Sequence, residues 1–193
     1  MSKSSNHSSG RLAFLFLAVA ALLAGYFLAT KMGRQSGQQL HLTPSDGGAA
    51  AVATIGKPRP DFTLPNLDDQ SHSIAEWDGK VVLVNFWATW CPPCRREIPG
   101  FVEVYRQYHD KGFEVVGVAI DDPEAVTRFV ANAGIDYTVL WGQAGATEVA
   151  RRYGNKAGVL PFSVLIDRNG IVRLTRAGEL DRDELVAALK QYL

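Results

Sequence analysis

Residues 81–94 read Val81-Val82-Leu83-Val84-Asn85-Phe86-Trp87-Ala88-Thr89-Trp90-Cys91-Pro92-Pro93-Cys94. The first seven are mostly apolar, rich in β-branched and aromatic side chains, and preceded by Asp78-Gly79-Lys80. That pattern reads as a buried central strand. The stretch from about Pro93 to His109 reads as a helix. Cys91 therefore stands where a strand hands over to a helix N-terminus, whose partial positive charge favours a thiolate. Cys94 follows at the spacing that lets two thiols meet across one helical turn. The chain has no other cysteine.

Working outward, Phe113 to Ile120 and Phe162 to Ile166 read as further strands. Helical stretches lie at about Pro123–Ala133 and Ala146–Tyr153. Strands alternating with helices imply right-handed βαβ units and a parallel sheet covered on both faces. Asn169-Gly170 is a hairpin signal that joins strand 162–167 to strand 171–176, so the sheet is mixed. A last helix is expected from Asp181 to Tyr192. Asp181 is expected to cap it with Glu184 as capping-box partner. Leu185, Leu189 and Leu193 are expected to face the sheet. The order βαβ, helix, hairpin, helix is that of an α/β thioredoxin-like fold with a central mixed sheet. An added βα segment falls around residues 121–153.

The redox chemistry follows from position. Cys91 is expected to be the exposed attacking sulfur, and Cys94, one turn in, the more buried resolving one. Pro92 and Pro93 have no N–H. The first amide able to reach the Cys91 sulfur is that of Cys94. Helix N-termini of this kind bring a thiol from about 8.5 down to about 3.5–7.5. With so few donors, alkylation of Cys91 followed against pH should give an apparent pKa above about 5. A lower value would overturn that donor set. A zinc site needs four ligands. There is no second cysteine pair, and His7, His41, His72 and His109 are far apart. No metal and no cofactor beyond the Cys91–Cys94 disulfide is expected.

Leu12 to Thr30 is an uncharged apolar run of 19 residues, bracketed by Arg11 and Lys31. As a helix it spans roughly 28 Å, close to a bilayer's apolar thickness of about 30 Å. It reads as a single N-terminal transmembrane helix, or as a secretory signal with Ala18-Val19-Ala20 as the small-residue site. The run is longer than a usual signal core, which favours the anchor. The lysine and arginine counts on its two sides are nearly even. Both readings export the C-terminal domain. The expected organisation is a cytoplasmic N-terminus (1–11), an anchor (12–30), a flexible Gln/Gly/Ser/Ala-rich linker (31–56) and a thioredoxin-like domain (57–193). A linker of that kind reaches roughly 25–30 Å.

Composition limits the rest. The 193 residues carry 20 basic and 20 acidic side chains, and 47% are hydrophobic. There is no basic excess of the kind nucleic-acid binding requires. Arg95-Arg96 and Arg151-Arg152 read as solvated faces.

Trp90-Cys91-Pro92-Pro93-Cys94-Arg95-Arg96-Glu97-Ile98-Pro99 resembles the W-C-x-P-C-x-x-E-x-P signature of the TlpA/ResA/CcmG-like branch of the thioredoxin superfamily. Pro60 to Leu64 and Gly79 to Thr89 are similar to that pattern too, and the likeness covers roughly residues 56–193. The resemblance implies a membrane-anchored thiol–disulfide oxidoreductase of the bacterial inner membrane, with its catalytic domain in the periplasm. It implies a reductant of protein disulfides, as in cytochrome c maturation, fed by a membrane thiol donor of the DsbD/CcdA kind. It makes Cys91 the attacking and Cys94 the resolving cysteine, and Glu97 an acidic residue that tunes the resolving thiol. Glu97 lies three residues past Cys94 on one helix face. The alternative for Glu97 is a surface salt bridge with Arg95, Arg96 or Arg106. Pro99 would interrupt and kink the helix. The resemblance makes Leu160-Pro161 the superfamily's cis-proline site, exposing a backbone edge at residue 160 to partners and keeping metals off the thiols. Trp90 is expected to face partners, the alternative being core.

There are departures. Asn85 stands where many thioredoxins carry a buried Asp, and an amide cannot act as a base. Gly158 to Ser163 lacks the Thr-rich pattern common in this branch. Three other readings share the cysteine pair. One is a disulfide-forming oxidant. Another is a thiol peroxidase, although the P-x-x-x-T-x-x-C arrangement is not met before Cys91. The third is a tethered binding module with a structural disulfide.

Overall fold

The computed structural model describes residues 55–193. The expected N-terminus 1–11, the apolar run 12–30 and nearly all of the linker lie outside them. Among the described residues no helix is long and apolar enough to cross a membrane. Near the start of the described residues, Gly56 donates to the Val172 carbonyl at 2.8 Å.

Two short strands, β1 (Thr63–Pro65) and β2 (Ser71–Ser73), pair antiparallel. They have no counterpart in the sequence reading, because three-residue strands leave no periodicity. The central sheet has the order β5-β4-β3-β6-β7. Its members are β3 (Val81–Trp87), β4 (Phe113–Ala119), β5 (Thr138–Trp141), β6 (Phe162–Ile166) and β7 (Val172–Ala177). Strand β4 runs parallel to both β3 and β5, and β6 runs antiparallel to β3 and β7. The helices are α1 (Pro92–Tyr108), α2 (Pro123–Ala133), α3 (Ala144–Arg152) and α4 (Arg182–Leu189). The sheet is mixed, as the hairpin signal required. Helix α2, strand β5 and helix α3 form the added segment.

Every residue of β3 is buried, and period-two alternation sorts its side chains onto two faces. Val81, Leu83 and Trp87 join one core with Ile98, Phe101, Leu185 and Leu189. Val82, Val84 and Phe86 join the other, with Phe62, Val149 and Tyr153. Asn85 belongs by alternation to the first face, the one covered by α1.

Gly117 is the register partner of Asn85 on β4. A Cβ there would sit 3.1 Å from Trp87 Nε1 and 3.1 Å from a Tyr137 ring carbon. Both rings are buried, so neither can swing aside. Gly117→Ala is expected to cost about 1–3 kcal/mol in urea denaturation. An unchanged midpoint would show that this face has slack.

Three local expectations are corrected. Helix α1 runs unbroken through Pro99. The carbonyl that loses its donor belongs to Arg95, an exposed residue that water can serve. Asp181 caps α4 by accepting from the Glu184 amide at 2.8 Å, but the Glu184 side chain pairs with Arg176 instead of reaching back. Leu185 and Leu189 are buried, whereas Leu193 is 38% exposed. The helix ends at Leu189, so the i+8 position is no longer on its face.

Candidate functional site

The loop from β3 to α1 holds the cysteines. Cys91 is the N-cap of α1, and Pro92 and Pro93 occupy the first two helical positions, where a missing N–H costs nothing. Cys91 and Cys94 form a disulfide with their Cα atoms 5.3 Å apart. The Cys94 amide donates to Cys91 Sγ at 3.3 Å, the donor that the two prolines leave. Cys91 is only 3% exposed and Cys94 fully buried. The ranking of the two sulfurs holds, but an openly exposed Cys91 does not. In the disulfide form its sulfur is tucked behind its neighbours.

One of those neighbours is Trp90, which is 66% exposed. It is a surface aromatic beside the disulfide, and the core alternative is excluded. Its loop is tied down one residue earlier. Thr89 donates to Asp121 Oδ2 through both its amide, at 2.9 Å, and its hydroxyl, at 2.6 Å. Burial pushes the Asp121 carboxyl up, but these bonds and the Asp122 amide outweigh it and hold it below its ordinary value.

Glu97 lies on the inner side of α1 and is buried. The surface salt-bridge alternative fails, because each arginine is engaged elsewhere. Arg96 pairs with Glu179 and Arg106 with Asp136, while Arg95 lies over the Phe129 ring. Glu97 Oε1 instead accepts from Asn85 Nδ2 at 2.7 Å, and Oε2 accepts from the Leu180 amide at 2.9 Å. Burial raises its carboxyl from 4.5 to about 7, more than the Leu180 and Asn85 bonds lower it. Glu97 can therefore change protonation near neutral pH. Asn85 Nδ2 also donates to Ser163 Oγ at 2.9 Å. Sequence reasoning singled out Asn85 only as standing where many thioredoxins carry a buried Asp, and did not see that it holds Glu97. Ser163 and the Leu180 amide were missed. A serine second in a buried strand was a weak signal, and a loop amide gives none.

The Leu160–Pro161 bond is cis. Pro161 immediately precedes β6, and its carbonyl accepts from the Gly178 amide at 2.8 Å. Leu160 lines a groove together with Trp90, so the proline loop and the cysteine loop border one surface.

A cysteine pair at a helix start beside a buried carboxylate and a cis-proline loop is equipped to exchange disulfides. The comparisons agree. Residues 55–175 match the family described as the AhpC/TSA family. The chain belongs to this family. Thiol–disulfide oxidoreductase ResA of Geobacillus thermodenitrificans is 35% identical over 74% of this chain and 78% of its own length. A crystal structure of a thioredoxin-family thiol:disulfide interchange protein from Chlorobium tepidum superposes with a TM-score of 0.65. It is 31% identical and covers 72% of this chain and 97% of its own. A thiol:disulfide interchange protein from a Bacteroides species, solved in solution, gives a TM-score of 0.64 at 27% identity, with 73% and 91% covered. The chain is thus a thiol–disulfide oxidoreductase of the ResA type, with Cys91 and Cys94 as its Cys-x-x-Cys pair.

Proposed function

We propose that this oxidoreductase is a reductant of protein disulfides outside the cytoplasm, held at the inner membrane by residues 12–30. The observation that carries the direction of electron flow is the poverty of donors at Cys91. Strong oxidants of this kind owe their potential to a stabilised reduced form with a low thiol pKa. Here one amide reaches the Cys91 sulfur, and the prolines at 92 and 93 supply none. A weakly stabilised thiolate makes the reduced pair a better electron donor.

The exchange balances. The Cys91 thiolate attacks one sulfur of a substrate disulfide, so one S–S bond forms and the substrate's bond breaks. The departing thiolate takes a proton. Cys94 then gives its thiol proton to Glu97 and attacks Cys91, releasing the second substrate thiolate. Two electrons pass to the substrate, and the enzyme becomes the Cys91–Cys94 disulfide. A membrane thiol donor of the DsbD/CcdA kind re-reduces it, and cytochrome c maturation is the process the resemblance favours. Trp90 and the backbone of Leu160, held by cis-Pro161, receive the substrate chain. Pro161 also keeps metals off the thiols, and the chemistry needs no cofactor beyond the disulfide.

Equilibration with a dithiol buffer tests the direction. A reductant should lie nearer the roughly −270 mV of thioredoxin than the roughly −120 mV of a strong oxidant. A potential above about −180 mV would favour the oxidant reading, which uses the same site.

A further inference from the structure

A groove of about 330 Å³ is lined by Trp90, the residue before Cys91, and by the end of α3 and the loop to β6. Its floor is apolar, contributed by Ile120, Ala150 and Leu160. The volume suits one large or two small side chains of a bound segment.

The polar residues around it fall into two sets. Thr147 and Asn155 are already satisfied. Thr147 donates to the Gln143 carbonyl, and Asn155 both donates to and accepts from the Val159 backbone. Arg151 and Lys156 are different. Both line the groove and both are exposed. Among the described residues neither makes a salt bridge, and no acidic side chain lines the groove. The neighbouring Arg152 points elsewhere and donates to the Asp61 carbonyl at 2.8 Å. Asp121, beside the cysteine loop, is taken up by Thr89 and Asp122, and Glu148, one turn before Arg151 on α3, makes no salt bridge with it within 4.0 Å. The groove thus offers an aromatic wall, an apolar floor and two uncommitted cations.

We infer that this groove selects protein substrates that carry an aspartate or glutamate within a few residues of the cysteine that joins Cys91. The carboxylate meets Arg151 and Lys156 while an apolar neighbour enters the floor. The guanidinium can take the carboxylate in a two-pronged contact. Charges at the rim of a site act mainly on encounter, so selectivity should appear in the second-order rate and fade with salt. The inference rests on the reductant reading, and the experiment separates the two.

Reduced full-length protein is mixed with two disulfide-bonded peptides that differ only in flanking residues, one pair acidic and one pair lysine. A neutral small disulfide, bis(2-hydroxyethyl) disulfide, serves as reference. The acidic peptide should be reduced about tenfold faster at low salt, with the ratio shrinking toward one at high salt. Arg151→Glu combined with Lys156→Glu should invert the preference and leave the rate with the neutral disulfide unchanged, which also shows that the variant is folded. Equal rates for the two peptides, or a preference that survives the double reversal, would overturn the inference. Failure to reduce any of the three disulfides would overturn the reductant reading instead.

Discussion

A Cys94→Ser variant should capture its substrate and keep it. Cys91 can still attack, because its one amide donor is the backbone of residue 94 and survives the substitution. The mixed disulfide then has nothing to resolve it, since the chain has only two cysteines. Turnover should fall by at least about 10³-fold, the scale of losing a group that acts as part of a unit. A disulfide-linked adduct should accumulate on a non-reducing gel and vanish with dithiothreitol. Cys91→Ser should lose turnover to the same degree and capture nothing, because Cys94 is fully buried and cannot meet a partner. Adducts on Cys94 in the Cys91→Ser variant would reverse the assignment of roles. If Cys94→Ser captures no partner in the cell, exchange with protein substrates fails as the physiological reaction.

The second large effect concerns Glu97. Its carboxyl is raised from 4.5 to about 7 in the folded protein, chiefly by burial. Between those values the native chain holds a proton that the unfolded chain has lost. Stability therefore falls as pH rises through that window and is level, for this group, above it. The shift corresponds to about 3 kcal/mol. Asp121 and Asp167 are held below their ordinary values, despite burial, by the hydrogen bonds they accept. Their contribution is present above about pH 4 and lost below it, outside the Glu97 window. Glu97→Gln should remove the decline between about pH 4.5 and pH 7 in urea denaturation. In single-turnover assays the resolving step should rise through pH 7 in the wild type. The variant should lose that inflection and run about 10²-fold slower. A variant that keeps the inflection would move the proton-accepting role elsewhere.

The fold was legible wherever burial imposes a pattern over several residues. The mostly apolar run of β3 and the strand–cysteine–helix junction sufficed for the sheet and for the position of Cys91. The short strands β1 and β2 were not legible, because three residues carry too little pattern. The reach of Glu184 and the face of Leu193 were misread for a shared reason. Both were extrapolated from spacing, while a tertiary ion pair with Arg176 and the end of α4 at Leu189 decided them. At the site, the sequence named Glu97 and two fates for it. Only the packing of α1 against β3 decides between them, by placing Asn85 Nδ2 within 2.7 Å. The four arginines at 95, 96, 151 and 152 looked like uniform solvated charge. The structure divides them into a cation over a ring, an ion pair, a backbone tie and one cation in the groove.

The bond from the Leu180 amide to Glu97 has a consequence for where this domain can be cut. The family match spans residues 55–175, and a chain trimmed at its end keeps both cysteines, the cis-proline and most of β7. It loses the donor to Glu97 Oε2. Of the two donors that hold the carboxylate, only Asn85 would then remain. The turn before α4, which a loop-grafting experiment would treat as replaceable, is in this sense part of the redox centre. Its register matters more than its residues, because what it contributes is a main-chain N–H.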